Sequence, residues 1–217
     1  MTKKERAVQF MNILEGLYPD ALCSLEYKTP LQLLIATMLS AQCTDARVNL
    51  VTPKLFEKFP DAKAFSEADI SVLEECIHSV GFFRSKSKNI IACCKKLCLN
   101  FGGEVPPTME ELLTLDGVGR KTANLILGDV FKKGGMVIDT HAKRILLRVG
   151  LTKEIDPLKV ERDTAPLIPL SKQSDFCHRL VLHGRALCSA RKPLCSDCPA
   201  SSVCKTGTKK VLKKSEK

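Results

Sequence analysis

The sequence predicts an all-α fold, and three observations lead there. Apolar residues at Ile77, Val80 and Phe83, then at Ile90, Ile91 and Leu97, recur at helical rather than alternating spacing. Helix-opening pairs are frequent: Thr29–Pro30 stands before LQLLIATML, and Asp156–Pro157 opens another segment in the same way. No stretch keeps up the alternation of a half-buried strand, so about ten helices and no sheet are expected.

In chain order, the start MTKKERAVQFMNIL lacks a long apolar run and shows no signal peptide. Ser66 with Asp69, and Thr108 with Glu111, have the spacing of capping boxes. Helical stretches at Thr108–Leu115 and Arg120–Phe131 flank a turn built on Gly117, Val118 and Gly119. Glycines there permit positive φ and a tight reversal. The segment KKGG at 132–135 offers a crossing point between domains. Asp139 precedes THAKRILLRVG, a further helix. From Lys205 onward the chain is lysine-rich without an apolar stripe and reads as a solvated, mobile tail. No internal repeat is evident.

The 217 residues are 44% hydrophobic, enough for one large domain or two small ones with a sizeable core. The formal net charge of +10 suggests a polyanionic partner, nucleic acid first, although a merely basic surface has the same charge. Leu31–Leu39 is too short to span a bilayer. Eleven cysteines in a chain read as lacking a secretion signal point to reduced thiols and metal ligands rather than disulfides.

The chemistry concentrates in three places. The run LDGVGRKTA at Leu115–Ala123 leaves backbone N–H groups at a helix mouth, where the helix dipole favours phosphate. Lys121, in the first turn of that helix, reads either as a nucleophile or as a phosphate holder. The helix field, neighbouring Arg120 and an expected partial burial all favour its neutral amine. Asp139 reads as an N-cap, as a site carboxylate, or as both. Cys188, Cys195, Cys198 and Cys204 follow the spacing C-x6-C-x2-C-x5-C. Four thiolates so close need a counter-charge, and both zinc and a four-iron cluster accept four cysteines. Cys23, Cys43, Cys76, Cys93, Cys94, Cys98 and Cys177 form no such pattern and read as small core hydrophobes.

These runs, with LSAQCTDARVN at 39–49, SKSKNI at 85–90 and HGR before the cysteine loop, occur in the order of the endonuclease III family. The chain resembles these helix-hairpin-helix DNA glycosylases along nearly its full length. The resemblance implies a six-helix domain over 23–133 carrying the hairpin. A second domain would join 1–22 to 134–217 and include the cysteine loop at 187–205 and the basic tail. It implies a [4Fe–4S] cluster on the four cysteines. It further implies a bifunctional glycosylase and lyase, monomeric and cytoplasmic, acting on double-stranded DNA with damaged pyrimidines or abasic sites. Lys121 would attack the sugar and Asp139 would assist base departure. Gln42 would meet the orphaned base and Phe82 would wedge into the stack; from the residues alone Phe82 also suits core packing. Gly117, Val118, Gly119, Arg191 and Lys192 would hold phosphates. Asp116, where relatives often have proline, sets a negative charge beside that site. Asp45 reads as a pocket or cap residue, and His141 as a packing residue. Two other functions share the architecture: a monofunctional mismatch glycosylase, which would need a glutamate where Ala36 stands, and a non-catalytic DNA-binding iron–sulfur module.

Overall fold

A computed structural model describes residues 1–215, of which all regular elements are helical. They fall into two compact units, Met1–Leu22 with Lys132–Lys217, and Cys23–Phe131.

The Cys23–Phe131 unit holds α2 (Pro30–Ser40), α3 (Asp45–Lys58), α4 (Ala62–Ser66), α5 (Ile70–Ile77), α6 (Phe83–Phe101), α7 (Met109–Leu112) and α8 (Arg120–Asp129). Each start is set locally. Thr29 caps α2, Thr44 caps α3, Asp61 caps α4, Asp69 caps α5 and Thr108 caps α7, each accepting a backbone N–H of the first turn. Ser66 instead ends α4. The Ser66–Asp69 spacing is therefore no capping box, because Asp69 itself is the cap, bonding the Ser71 N–H at 2.7 Å. Core burial centres on α2, whose Leu33, Leu34, Ile35, Ala36 and Leu39 are fully enclosed. Against it stand Ile90, Cys93, Cys94 and Leu97 of α6 and Ala123 and Ile126 of α8. The tightly packed α6 covers α4 and α5.

The other unit holds α1 (Lys3–Leu17), α9 (Thr140–Val149), α10 (Pro157–Thr164), α11 (Gln173–Ala186) and α12 (Lys205–Ser215). Its core joins Phe10 and Leu14 of α1 to Ile145 and Leu146 of α9 and Phe176 and Leu180 of α11. The expected mobile tail is a helix as far as Ser215; its last two residues lie outside those described. It begins on Cys204, whose carbonyl accepts the Thr208 N–H at 2.9 Å, and it packs against α9. Composition alone hid this, because anchoring at the helix start offsets a polar surface. No helix among the described residues is long and apolar enough to cross a membrane.

Candidate functional site

The hairpin turn between α7 and α8 divides its labour among three residues. Val118 is buried and donates its N–H to the Leu115 carbonyl at 3.2 Å, so it does not present the free N–H expected of it. Gly117 has φ +74, and an added Cβ would lie 2.8 Å from Met38 Cε and 3.0 Å from Asn89 Cβ. Both conformation and packing demand glycine there. Gly119 differs. Its φ of −95 is open to any residue, and a Cβ would meet nothing within 4 Å. The turn does not need this glycine, contrary to expectation. Its missing side chain keeps open the space at the α8 N-terminus, where an anion meets N–H groups and the positive helix end. Asp116 is paired with Lys96 at 3.0 Å, and the same ammonium donates to the Thr114 carbonyl at 2.8 Å. The acidic charge beside the hairpin therefore has a cation held against it.

Lys121 is the second residue of α8 and is exposed. The partial burial expected of it is absent, because the first turn of α8 faces outward while Ala123, Asn124 and Ile126 turn inward. Asp139 caps α9, its Oδ1 accepting the Ala142 N–H at 2.7 Å. Capping holds the carboxylate in one orientation. His141 Nδ1 lies 3.1 Å from Arg144 Nη2. Arginine can only donate, so Nδ1 is the acceptor in this contact. His141 also covers Gly184 of α11, where any Cβ would collide with it, and is a packing residue. Asp45 does not cap α3, a role taken by Thr44; it accepts from Ser24 Oγ at 3.0 Å.

Gln42 and Phe82 are non-glycine residues with left-handed backbone, φ +55 and +48. Such a conformation costs about 1–2 kcal/mol and persists only where the surroundings impose it. Both side chains are exposed, Phe82 by 65%, which removes the core-packing reading. Phe83 takes the inward role, its ring centroid 4.6 Å from that of His78 in a tilted pair. Between the two backbones lies Lys86 of α6, only 6% exposed. Its Nζ donates to the Leu39 carbonyl at 2.8 Å and to the Val80 carbonyl at 3.0 Å. Burial pushes the Lys86 ammonium below its ordinary range, with the nearby Cys43 thiol opposing the shift.

The four spaced cysteines line one cavity with Phe10, His183 and Arg148. Burial pushes the Cys198 and Cys204 thiols up, and the neighbouring thiols of the quartet add to the effect. Among the described residues no three of the four sulfurs lie within 4.8 Å of one another. Tetrahedral zinc, with Zn–S of about 2.3 Å, would draw sulfurs to roughly 3.8 Å. Four cysteines lining one cavity are a donor set that either zinc or a four-iron cluster accepts. Donors are aimed at the sulfurs: Arg148 Nη1 to Cys188 Sγ and the Gly207 N–H to Cys204 Sγ, both at 3.3 Å. Arg148 also reaches the Ser189 and Ala190 carbonyls at 2.7 Å, and Arg144 Nε the Cys188 carbonyl at 3.1 Å. Directly after these tethered carbonyls, Arg191 and Lys192 project exposed. All eleven cysteines are free thiols; Cys93, Cys94 and Cys177 are buried, and the remaining four outside the quartet are half-buried against the core.

Lys86, Lys96 and Arg148 were not singled out from sequence. Lys86 carried a signal: with Ile90, Cys93, Cys94 and Leu97 it shares the buried stripe of α6. A charge on such a stripe requires partners.

Residues 35–169 match the model of the HhH-GPD superfamily of base excision DNA repair proteins. The chain is 54% identical to the endonuclease III of Synechocystis sp. over 94% of its length and 93% of that protein. Its fold is similar to a non-covalent endonuclease III–DNA complex, with TM-score 0.90, 38% identity and coverage of 98% and 100% of the two chains. A trapped covalent endonuclease III–DNA intermediate matches with TM-score 0.88 and 38% identity, covering 97% and 99%.

Proposed function

The chain belongs to the endonuclease III family within the HhH-GPD superfamily, and from that premise we propose that it is a bifunctional DNA glycosylase and abasic-site lyase of base excision repair. Its substrates are oxidised pyrimidines in double-stranded DNA. The observation that carries this reading is Lys121, an exposed amine in the first turn of the helix that follows the glycine hairpin.

Once neutral, the Lys121 amine attacks C1′ of the damaged nucleotide as the C1′–N bond breaks. The base leaves with a proton that Asp139 relays, or Asp139 offsets the positive charge building on the sugar. The amine then gives up its protons as the C1′–O4′ bond opens and O4′ takes one, which leaves an imine between C1′ and Nζ. Removal of a C2′ proton expels the 3′ phosphate by β-elimination, and water releases Lys121. Gln42 meets the orphaned base and Phe82 fills the vacated stack. Gly119 and the first N–H groups of α8 receive a phosphate, while Gly117 and Val118 hold the turn. Cys188, Cys195, Cys198 and Cys204 would hold a [4Fe–4S] cluster, which would offset part of the thiolate charge and fix the loop bearing Arg191 and Lys192. A monofunctional mismatch glycosylase is disfavoured, since Ala36 is fully buried and offers no carboxylate. The same reading makes the protein a cytoplasmic monomer working on chromosomal DNA.

Borohydride trapping on a duplex containing thymine glycol tests the proposal. The wild-type protein is expected to form a covalent complex, and Lys121→Gln none, with duplex binding kept within a few-fold. Trapping by Lys121→Gln at the wild-type rate would overturn the assignment.

A further inference from the structure

Lys86 is a costly residue to place where it stands. An ammonium in a 6% exposed position must be satisfied by protein acceptors, and a hydrophobe of equal length would fill the space without that demand. The acceptors it takes are informative. Leu39 is the penultimate residue of α2, and its carbonyl is among those a helix end leaves without a helical partner. Three residues later comes Gln42. Val80 ends the short 3-10 turn at 78–80, and two residues later comes Phe82. Lys86 also donates its own backbone N–H to the Phe82 carbonyl at 3.1 Å, so it grips the chain on both sides of Gly81. The two segments so joined hold the left-handed residues Gln42 and Phe82. Phe82, at the N-terminus of α6, makes no side-chain cap. An ammonium suits the task because it is a compact charge with several donors that can serve carbonyls from different directions.

We propose that Lys86 is a positioning residue that fixes the Gln42 and Phe82 segments in one register, so that both enter the DNA together when the target nucleotide is extruded. The proposal rests on the function assigned above. It goes beyond that function in giving the wedge and the orphan-base reader a shared mechanical support. Lys86 touches no nucleotide. It acts by holding two strained backbones in the conformation that presents their side chains.

The test compares Lys86→Met, which keeps the stem and removes the donors, with Lys86→Arg, which keeps donors. One duplex carries thymine glycol opposite adenine, a second carries an abasic site, and a third places 2-aminopurine next to the lesion to report unstacking. Lys86→Met is expected to slow single-turnover base release roughly tenfold or more, as misplacement by about an ångström does. It is also expected to lose the 2-aminopurine fluorescence rise. Strand cleavage at the abasic duplex, where no base must leave the stack, should fall less than about threefold. That retained cleavage also certifies a folded protein. Lys86→Arg should recover most of the fluorescence rise. Equal loss on damaged and abasic duplexes, or a full fluorescence rise in Lys86→Met, overturns the proposal. Failure of the wild-type protein to cleave the abasic duplex would overturn the assigned function and this proposal together, whereas wild-type cleavage with an unaffected Lys86→Met overturns only the latter.

Discussion

The Gln42–Phe82 segments and the cysteine loop both carry exposed side chains, but they are held rigid in opposite ways. The first pair stands in left-handed backbone, secured by one buried lysine that bonds two helix-end carbonyls. The second region, residues 187–205, has no positive φ among its described residues. It is shaped instead by Arg148, which spreads its fork over Cys188 Sγ and the Ser189 and Ala190 carbonyls, beside four thiols that line one cavity. A loop can thus be fixed by backbone strain against a buried point charge, or by a planar donor and multidentate ligation without strain. The strained version suits side chains that must insert. The ligated version suits charges that need only stay in place.

The comparison breaks first at the cysteine loop. Replacing Cys195 by Ala should abolish iron content, expected at about four per chain, and duplex affinity should fall more than tenfold for damaged and undamaged DNA alike, because the Arg191–Lys192 loop loses its fixed shape. Metal analysis and titration at constant salt check this; full affinity without iron would show that Arg148 alone shapes the loop. Arg148→Met sharpens the point. Loss of the donor to four acceptors should cost about 1–3 kcal/mol in chemical denaturation and speed bleaching of the visible absorption in air, whereas an equal effect from Arg148→Lys would show that the fork geometry matters.

Within the hairpin, Gly117→Ala should destabilise the protein by about 1–3 kcal/mol, since it meets Met38 and Asn89 in a left-handed conformation. Gly119→Ala should stay within about 0.5 kcal/mol of wild type while weakening duplex binding. Melting and binding measured side by side separate the two glycines. The smallest expected effect is Gln42→Gly, which relieves left-handed strain and should raise stability by up to about 1 kcal/mol while slowing base release. A loss of stability would mean that Gln42 makes contacts worth more than its strain.

Rules acting within four or five residues made much of this chain legible. Thr29–Pro30, Asp156–Pro157 and Asp139 announce helix starts, because a cap binds N–H groups two or three residues on. The spacing of the four cysteines announces that they gather at one cavity, and the glycines announce the hairpin. The same local rules misread Gly119, whose φ is negative, and Val118, whose N–H turns back to Leu115. A glycine's type shows what a backbone is permitted, and only the folded path shows what it adopts.

Sequence by itself thus determined the all-helical class, the starts of several helices and the placing of Lys121 at a helix mouth. Tertiary structure alone decided which charges are structural. Lys86 meets Leu39 across 47 residues and Arg148 meets Cys188 across 40, and in sequence both read like any cation on a basic chain. The physical reason is range: caps and turns are closed by neighbours, whereas burying a charge depends on acceptors that only the completed fold brings within about 3 Å.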